Sequence, residues 1–344
     1  MSSHFASQKL TTTNDVTNDI QQPSYSVVAY ITAYQDLAAL SRCIQAIKAQ
    51  SYPIQRIVVV DNSPIPLSLK DSLDVLQWSH PTNIGISGGL RKLIAWTTYQ
   101  TYDFVWMFDQ DSQPAPDCLD QLIQAYARLA KKHPVGIVAP LPVDPRTQYV
   151  VPPGCFIRDR FEGIEITPAT QAQPCDSPIT SGSLLWLKTV DSVAPPDVRL
   201  FIDGIDLDYG WRLKQAGYQN FVIPKAVMSH NFGYPTEVRF LGKKKVFQAY
   251  SALRYYYIAR NHTYLELKFS KGRYKLTCAL KRLKFVVAQT VWLSIADTDC
   301  KIQKIWACLA GTYNGFLGNL DQQFRGISLD PIMAEYKKGG NAND

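Results

Sequence analysis

Between residues 26 and 139, short β-branched and aromatic runs alternate with longer amphipathic ones, and this alternation leaves few architectures open. Residues 26–32 (SVVAYIT), 56–60 (RIVVV), 104–108 (FVWMF) and 135–139 read as buried strands, with a weaker strand at 75–78. Residues 37–50 and 117–132 read as helices, and NIGISGG at 83–89 opens another that runs to about residue 99. Strand and helix in alternation predict an α/β fold, a mostly parallel sheet sandwiched by helices. In such sheets ligands sit beyond the carboxyl ends of the strands.

Farther on, residues 140–178 are Pro-rich and irregular, with room for a short hairpin. An apolar run at 179–187, an acidic helix start within 201–215, a strand at 221–223 and a run ending in His230 follow. Beyond Glu237 the periodicity reads as helical to about residue 324. These signals divide the chain into a disordered leader (1–23), a catalytic domain (24–236), a helical basic C-terminal region (237–330) and a flexible tail (331–344). The longest apolar stretch, residues 285–296, falls short of the ~20 residues a membrane span requires. Seven cysteines without a two-residue gap argue against zinc or redox chemistry and suit a reducing cytoplasm.

The residues with chemical potential fall where the strands end. Asp109 and Asp111 leave a hydrophobic strand with one residue between them, a pattern that suits Mg²⁺ or Mn²⁺ bridging to phosphate. The same spacing also arises where Asp111 and Ser112 merely cap a turn before Pro114. Asp61, ending a neighbouring strand, has the acceptor oxygens to read a pyrimidine imide, or forms a plain turn with Asn62, Ser63 and Pro64. Asn83 and Gly85 open a turn whose amides suit phosphate or ribose. Gly85, Gly88 and Gly89 do not form GxGxxG, so a dinucleotide fold has little support. Asp203, Asp206 and Asp208 precede a helix. Asp203 is expected to cap it, while Asp206 is the candidate general base. His230 is a candidate third metal ligand.

Taken together, VVAYITAY, RIVVVDNSP, NIGISGGL, YDFVWMFDQDS, ITSGSLLWL, FIDGIDLDYGWRLKQAGY and VMSHNFG resemble glycosyltransferase family 2, enzymes of the GT-A fold, and within it the bacterial rhamnosyltransferases of O-antigen and polysaccharide synthesis. The likeness runs from about residue 24 to 233 and continues more weakly in YSALRYYYIARN and at 310–318. It implies an inverting transfer of a sugar, L-rhamnose from dTDP-rhamnose or galactofuranose or another hexose, to a glycan or lipid-linked acceptor. Asp109 and Asp111 would be the DxD metal motif, His230 would complete the metal shell, and Asp206 would be the base. Thr32, Tyr34, Asp61, Asn83, Gly85 and Asp109 would hold the donor nucleotide, with Ser181, Gly182 and Asp208 on the acceptor side. Two departures stand out: Ile205 occupies a position where the family often has Glu, and Arg91 one where it commonly has Asn.

From Arg239 to Phe285, thirteen Lys or Arg face one acid, Glu266, and are interleaved with aromatics such as Tyr255, Tyr256 and Tyr257. This pattern predicts either an anionic membrane surface at the cytoplasmic face or a solvated helix packing its rings on the catalytic domain. Compact nucleic-acid signatures are missing, so no nucleic-acid partner is expected. A homo-oligomer and a non-catalytic nucleotide-sugar-binding protein remain compatible with these signals.

Overall fold

The computed structural model describes residues 24–69, 73–166, 171–240, 243–296 and 300–324. The expected leader (1–23) and tail (331–344) lie outside them. The chain opens with β1 (Val27–Ala33), α1 (Leu37–Lys48), β2 (Arg56–Asp61), β3 (Val75–Ser79), α2 (Gly85–Thr97) and β4 (Phe104–Asp109). It continues through β5 (Ser112–Pro114), α3 (Cys118–Leu129), β6 (Val135–Val143), β7 (Gly154–Ile157), β8 (Arg160–Gly163), β9 (Gln173–Cys175) and β10 (Leu184–Trp186). The last part comprises α4 (Ile205–Gln215), β11 (Gln219–His230), β12 (Tyr234–Phe240), β13 (Lys243–Ala249), α5 (Ala252–Phe269), α6 (Tyr274–Ala296) and α7 (Lys301–Leu317).

The main sheet runs β3-β2-β1-β4-β10-β6-β11-β5, with β9 also pairing β11. Strands β1 to β4 are mutually parallel, and β10 enters antiparallel between β4 and β6. The two-residue alternation sorts the side chains by face. Val27, Ala29 and Ile31 of β1, with Phe104, Trp106 and Phe108 of β4, pack under α1 and α3. Val28, Tyr30, Val105 and Met107 pack under α2 and α4. Each large apolar side chain buried this way contributes about 1.5–3 kcal/mol, so the sheet needs both helical layers. The runs at 221–223 and 227–230 are a single strand, β11, with a register shift between Ile223 and Val227 around Pro224.

The region after residue 236 departs from expectation in two ways. Residues 234–249 form an antiparallel hairpin, β12 against β13 in register from Tyr234↔Ala249 to Phe240↔Lys243, so the helical stretch begins only at Ala252. Val238 with Phe240 and Val246 suit strand backbone, whereas the three lysines of β13 obscure the period. The expected domain boundary at 236/237 therefore falls inside β12. The rings of Tyr255, Tyr256 and Tyr257 are buried, and Leu265 and Phe269 enter the core of the catalytic sheet. Packing on the protein, not exposure to lipid, is the outcome for this aromatic stretch.

Helix α5 meets α7 through glycine. A Cβ on Gly311 would lie 2.3 Å from the carbonyl oxygen of Tyr256 and 3.1 Å from the Ala259 Cβ. Because a backbone atom is the nearer obstacle, the helices would have to separate. Gly311→Val is expected to lower stability by about 1–3 kcal/mol, read as an earlier midpoint in urea unfolding. An unchanged midpoint would show that the close approach carries no weight.

Candidate active site

The site forms at the carboxyl ends of the parallel strands. Thr32 pairs with Asp109 across β1 and β4, and Ala33 pairs with Asp61 across β1 and β2. After Asp109 the chain turns through Gln110 and Asp111 into β5, where Ser112 lies in register with His230 of β11. That short pairing brings residues more than a hundred positions apart together. One ligand atom from each of Asp109, Asp111 and His230 falls within 4.8 Å of the others. His230 Nδ1 is 3.4 Å from Asp111 Oδ1, and its Nε2 is 4.0 Å from Asp109 Oδ2.

Beneath the triad lies a buried hydroxyl chain. Ser112 Oγ is 2.8 Å from His230 Nδ1 and 2.6 Å from Ser181 Oγ, and Ser181 accepts the Asp109 backbone N–H at 3.0 Å. With Nδ1 engaged by Ser112, Nε2 is the imidazole atom left toward Asp109, the arrangement expected of an oriented metal ligand. The imidazole is only 8% exposed, whereas Asp109 and Asp111 are 32% and 35% exposed, so the triad opens on its acidic side. Burial raises the Asp109 carboxyl above its usual range, and the Asp111 charge adds to the rise while His230 opposes it. Two repelling carboxylates and an imidazole that converge this closely suit a hard divalent cation such as Mg²⁺ or Mn²⁺.

Asp206 lies in the first turn of α4, half-buried, with Oδ1 accepting the Leu207 N–H at 2.9 Å. Burial and then the neighbouring Asp203 charge push its pKa up to about 6, with His262 pulling the other way. A carboxyl tuned toward neutrality suits a general base. Asp203 is not the expected helix cap, for that position is Gly204 in a left-handed conformation without a capping side chain. It accepts instead from His262 Nε2 at 3.2 Å, with Arg254 Nε 3.5 Å away. Burial works against its ionisation, but the His262 hydrogen bond and the Arg254 charge hold Asp203 below the usual range.

Arg254, Asn261 and His262 adjoin this acidic cluster, a place the sequence reading did not assign to them. Asn261 Nδ2 donates to the carbonyls of Leu200, Ile202 and Asp203 at 2.8, 3.1 and 2.8 Å, fixing the segment that leads into Asp206. All three stand on α5, so the C-terminal helices complete the site. Their signal was the weaker stretch YSALRYYYIARN together with the residue that follows it.

Several expected contacts take other roles. Asp61 is fully buried; its Oδ1 accepts from Ser63 N–H, and its Oδ2 accepts from Leu67 N–H and Gln77 Nε2. It shapes the loop after β2 and turns no oxygen to the surface. The amides expected to cradle phosphate are also occupied, since Ile84 N–H donates to Asn62 Oδ1 and Gly85 N–H to Asn83 Oδ1. Ser181 lies behind the triad, tied to Ser112 and the Asp109 amide, with Gly182 next to it. Gly182 has φ +82°, and a Cβ there would meet Pro140 at 2.5 Å. Asp208 is buried in ion pairs with Arg212 at 2.8 Å and Lys268 at 3.4 Å, apart from Asp206. Thr32 stays at the rim, its hydroxyl donating to Tyr30 Oη, and Tyr34 is exposed with its backbone laced to Gln110 on both sides.

Comparison with known proteins places the chain among glycosyltransferases. Residues 28–163 match the sequence family described as Glycosyl transferase family 2. The chain is 26% identical over 300 residues to the dTDP-rhamnosyl transferase RfbF of Shigella flexneri, covering 85% of this chain and 96% of that one. It is 24% identical over 202 residues to the galactofuranosyltransferase GlfT1 of Mycobacterium tuberculosis, covering 56% of this chain and 66% of the relative. In fold it is similar to a crystal structure of GalNAc-T7 with UDP, GalNAc and Mn²⁺, with a TM-score of 0.52 at 12% identity. That likeness covers 92% of this chain and 58% of the solved one.

Proposed function

We propose that this chain, which belongs to glycosyltransferase family 2, transfers L-rhamnose from dTDP-rhamnose to a growing cell-surface polysaccharide or lipid-linked glycan at the cytoplasmic face of a membrane, with inversion at the anomeric carbon. The observation that carries the reading is the pairing of the Asp109, Asp111 and His230 triad with a separate carboxyl, Asp206, whose pKa is lifted to about 6. The rhamnosyl donor rests on the likeness to RfbF, which extends over 85% of the chain. The shorter likeness to GlfT1 supports galactofuranose as the second reading.

Asp109, Asp111 and His230 would hold the cation. When bound, Mg²⁺ or Mn²⁺ offers a Lewis acid that offsets charge on a departing nucleoside diphosphate. Asp206 takes the proton of the acceptor hydroxyl as its oxygen bonds to the anomeric carbon. The bond from that carbon to the diphosphate breaks on the opposite face, and its electron pair leaves with the diphosphate. Asp203, held ionised by His262 and Arg254, keeps Asp206 basic enough to accept the proton. Tyr34, exposed beside Gln110, would cover the donor at the rim, a role its exposure supports.

The test is incubation with Mn²⁺ and either dTDP-rhamnose or UDP-galactofuranose, following release of the nucleoside diphosphate. Faster release from dTDP-rhamnose is expected. Preference for UDP-galactofuranose would replace the first donor with the second, and no turnover of any nucleotide sugar would overturn the reading.

A further inference from the structure

Among the described residues, helices α6 and α7 each pack one side on the protein and carry a run of apolar residues on the other. The inward face of α6 carries Cys278, Val286 and Leu293, all buried. Its opposite face carries Leu276, Leu280, Leu283, Val287, Val291 and Ile295, spaced by three or four residues and each more than half exposed. Helix α7 repeats the arrangement. Ala307, Cys308 and Gly311 face inward, while five residues from Ile302 to Leu317 face outward, with Trp306 63% and Tyr313 64% exposed. Both helices pack on α5 and on each other, so the faces turned away from α5 lie side by side on the outside of the molecule. Scattered exposed hydrophobes need no explanation, but two adjoining stripes of this length mark a surface that meets something apolar.

The charges say what that is. Neither α6 nor α7 contains an acidic residue, while Lys271, Arg273, Lys275 and Lys284 stand exposed at or before the N-terminal half of α6, and Lys301 at the start of α7. A second copy laid face to face would offer these cations no carboxylate from either helix. An anionic bilayer would meet them with opposite charge, take the aliphatic stripe into its headgroup boundary, and seat Trp306 and Tyr313 where amphipathic rings favour the interface. Among the described residues no helix is long and apolar enough to cross a membrane, which leaves contact in the plane of the surface as the way these helices engage lipid.

We infer that the outer face of α6 and α7 docks the enzyme on an anionic lipid bilayer, with the aliphatic stripe inserted and the α6 lysines on headgroups. The buried tyrosines of α5 take no part. The inference draws on the proposed function only for the lipid-linked acceptor, and vesicle binding is read without turnover, so either can fail alone.

The test is flotation of the full chain with vesicles of phosphatidylcholine alone or with phosphatidylglycerol. The parent is expected to float with anionic vesicles at low salt and only weakly with neutral ones. L280E/L283E/V287E, which alters exposed positions, is expected to bind at least tenfold more weakly while releasing nucleoside diphosphate at the parental rate. K275Q/K284Q is expected to lose the preference for anionic lipid. Parental binding by the triple variant, or no binding by the parent at low salt, overturns the inference. So does a parent that is dimeric and does not float, but becomes monomeric on the triple substitution, since the occupant is then a second copy.

Discussion

Replacement of Asp109 or Asp111 by Asn is expected to cut sugar transfer by ~10³-fold and to remove saturable Mn²⁺ binding, while the protein melts no lower than the parent in EDTA. The stability half of this expectation follows from the electrostatics of the site. Burial and the Asp111 charge both disfavour ionised Asp109, so in metal-free protein the two carboxylates oppose each other. Asn keeps the shape and removes a repelling charge, so the fold gains or stays level while the ion loses a ligand. His230→Gln is expected to weaken Mn²⁺ binding less, because both carboxylates remain. Titration calorimetry with Mn²⁺ beside a diphosphate-release assay checks both halves. Full activity of the parent in EDTA would sink the metal assignment.

The second large effect belongs to Asp206. Asp206→Asn is expected to retain donor binding and lose transfer by about 10²- to 10⁴-fold, because only the proton acceptor has gone. In the parent, kcat/KM should fall as pH drops through about 6, where the carboxyl becomes protonated. The Asp203 charge raises that pKa, so Asp203→Asn should move the acid limb to lower pH. A structural role alone would lower the rate without moving the limb. Asp208→Asn is expected to cost stability through the Arg212 and Lys268 pairs more than it costs rate. Parental turnover in Asp206→Asn together with a dead Asp208→Asn would show that the wrong carboxylate has been named.

The first half was legible in the sequence because β1, β2, β4 and β6 are buried on both faces and end at a rim where the polar residues collect. Asp109, Asp111 and His230 could be named for the same reason, as two strand ends joined by β5. Other parts were hidden by distance along the chain. Nothing local tells that Asp61 spends both oxygens on Ser63, Leu67 and Gln77, or that Ser181 sits behind Asp109, because those partners are chosen by the folded loops. Likewise, the β12–β13 ribbon stands outside the main sheet, so it takes no part in the strand-and-helix alternation that made the other strands readable. For α5 the periodicity left lipid contact and packing on the catalytic domain both open, because it marks an apolar face without saying what covers it, and the buried tyrosines answer for the second.

The three-residue strand β5 sets the order in which this protein acquires its chemistry. It lies at one end of the main sheet, paired with β11 alone, and the Ser112–His230 contact it carries closes a separation of 118 residues. A closure of that length is expected to come after the local helices and the short-range β1–β2 and β2–β3 pairs. A nascent chain that has not yet made His230 therefore presents only a pair of carboxylates, with no imidazole to complete the set. The ion meets its full set of ligands only in the finished sheet, and whatever it adds to stability acts as a brake on unfolding rather than as a guide to folding.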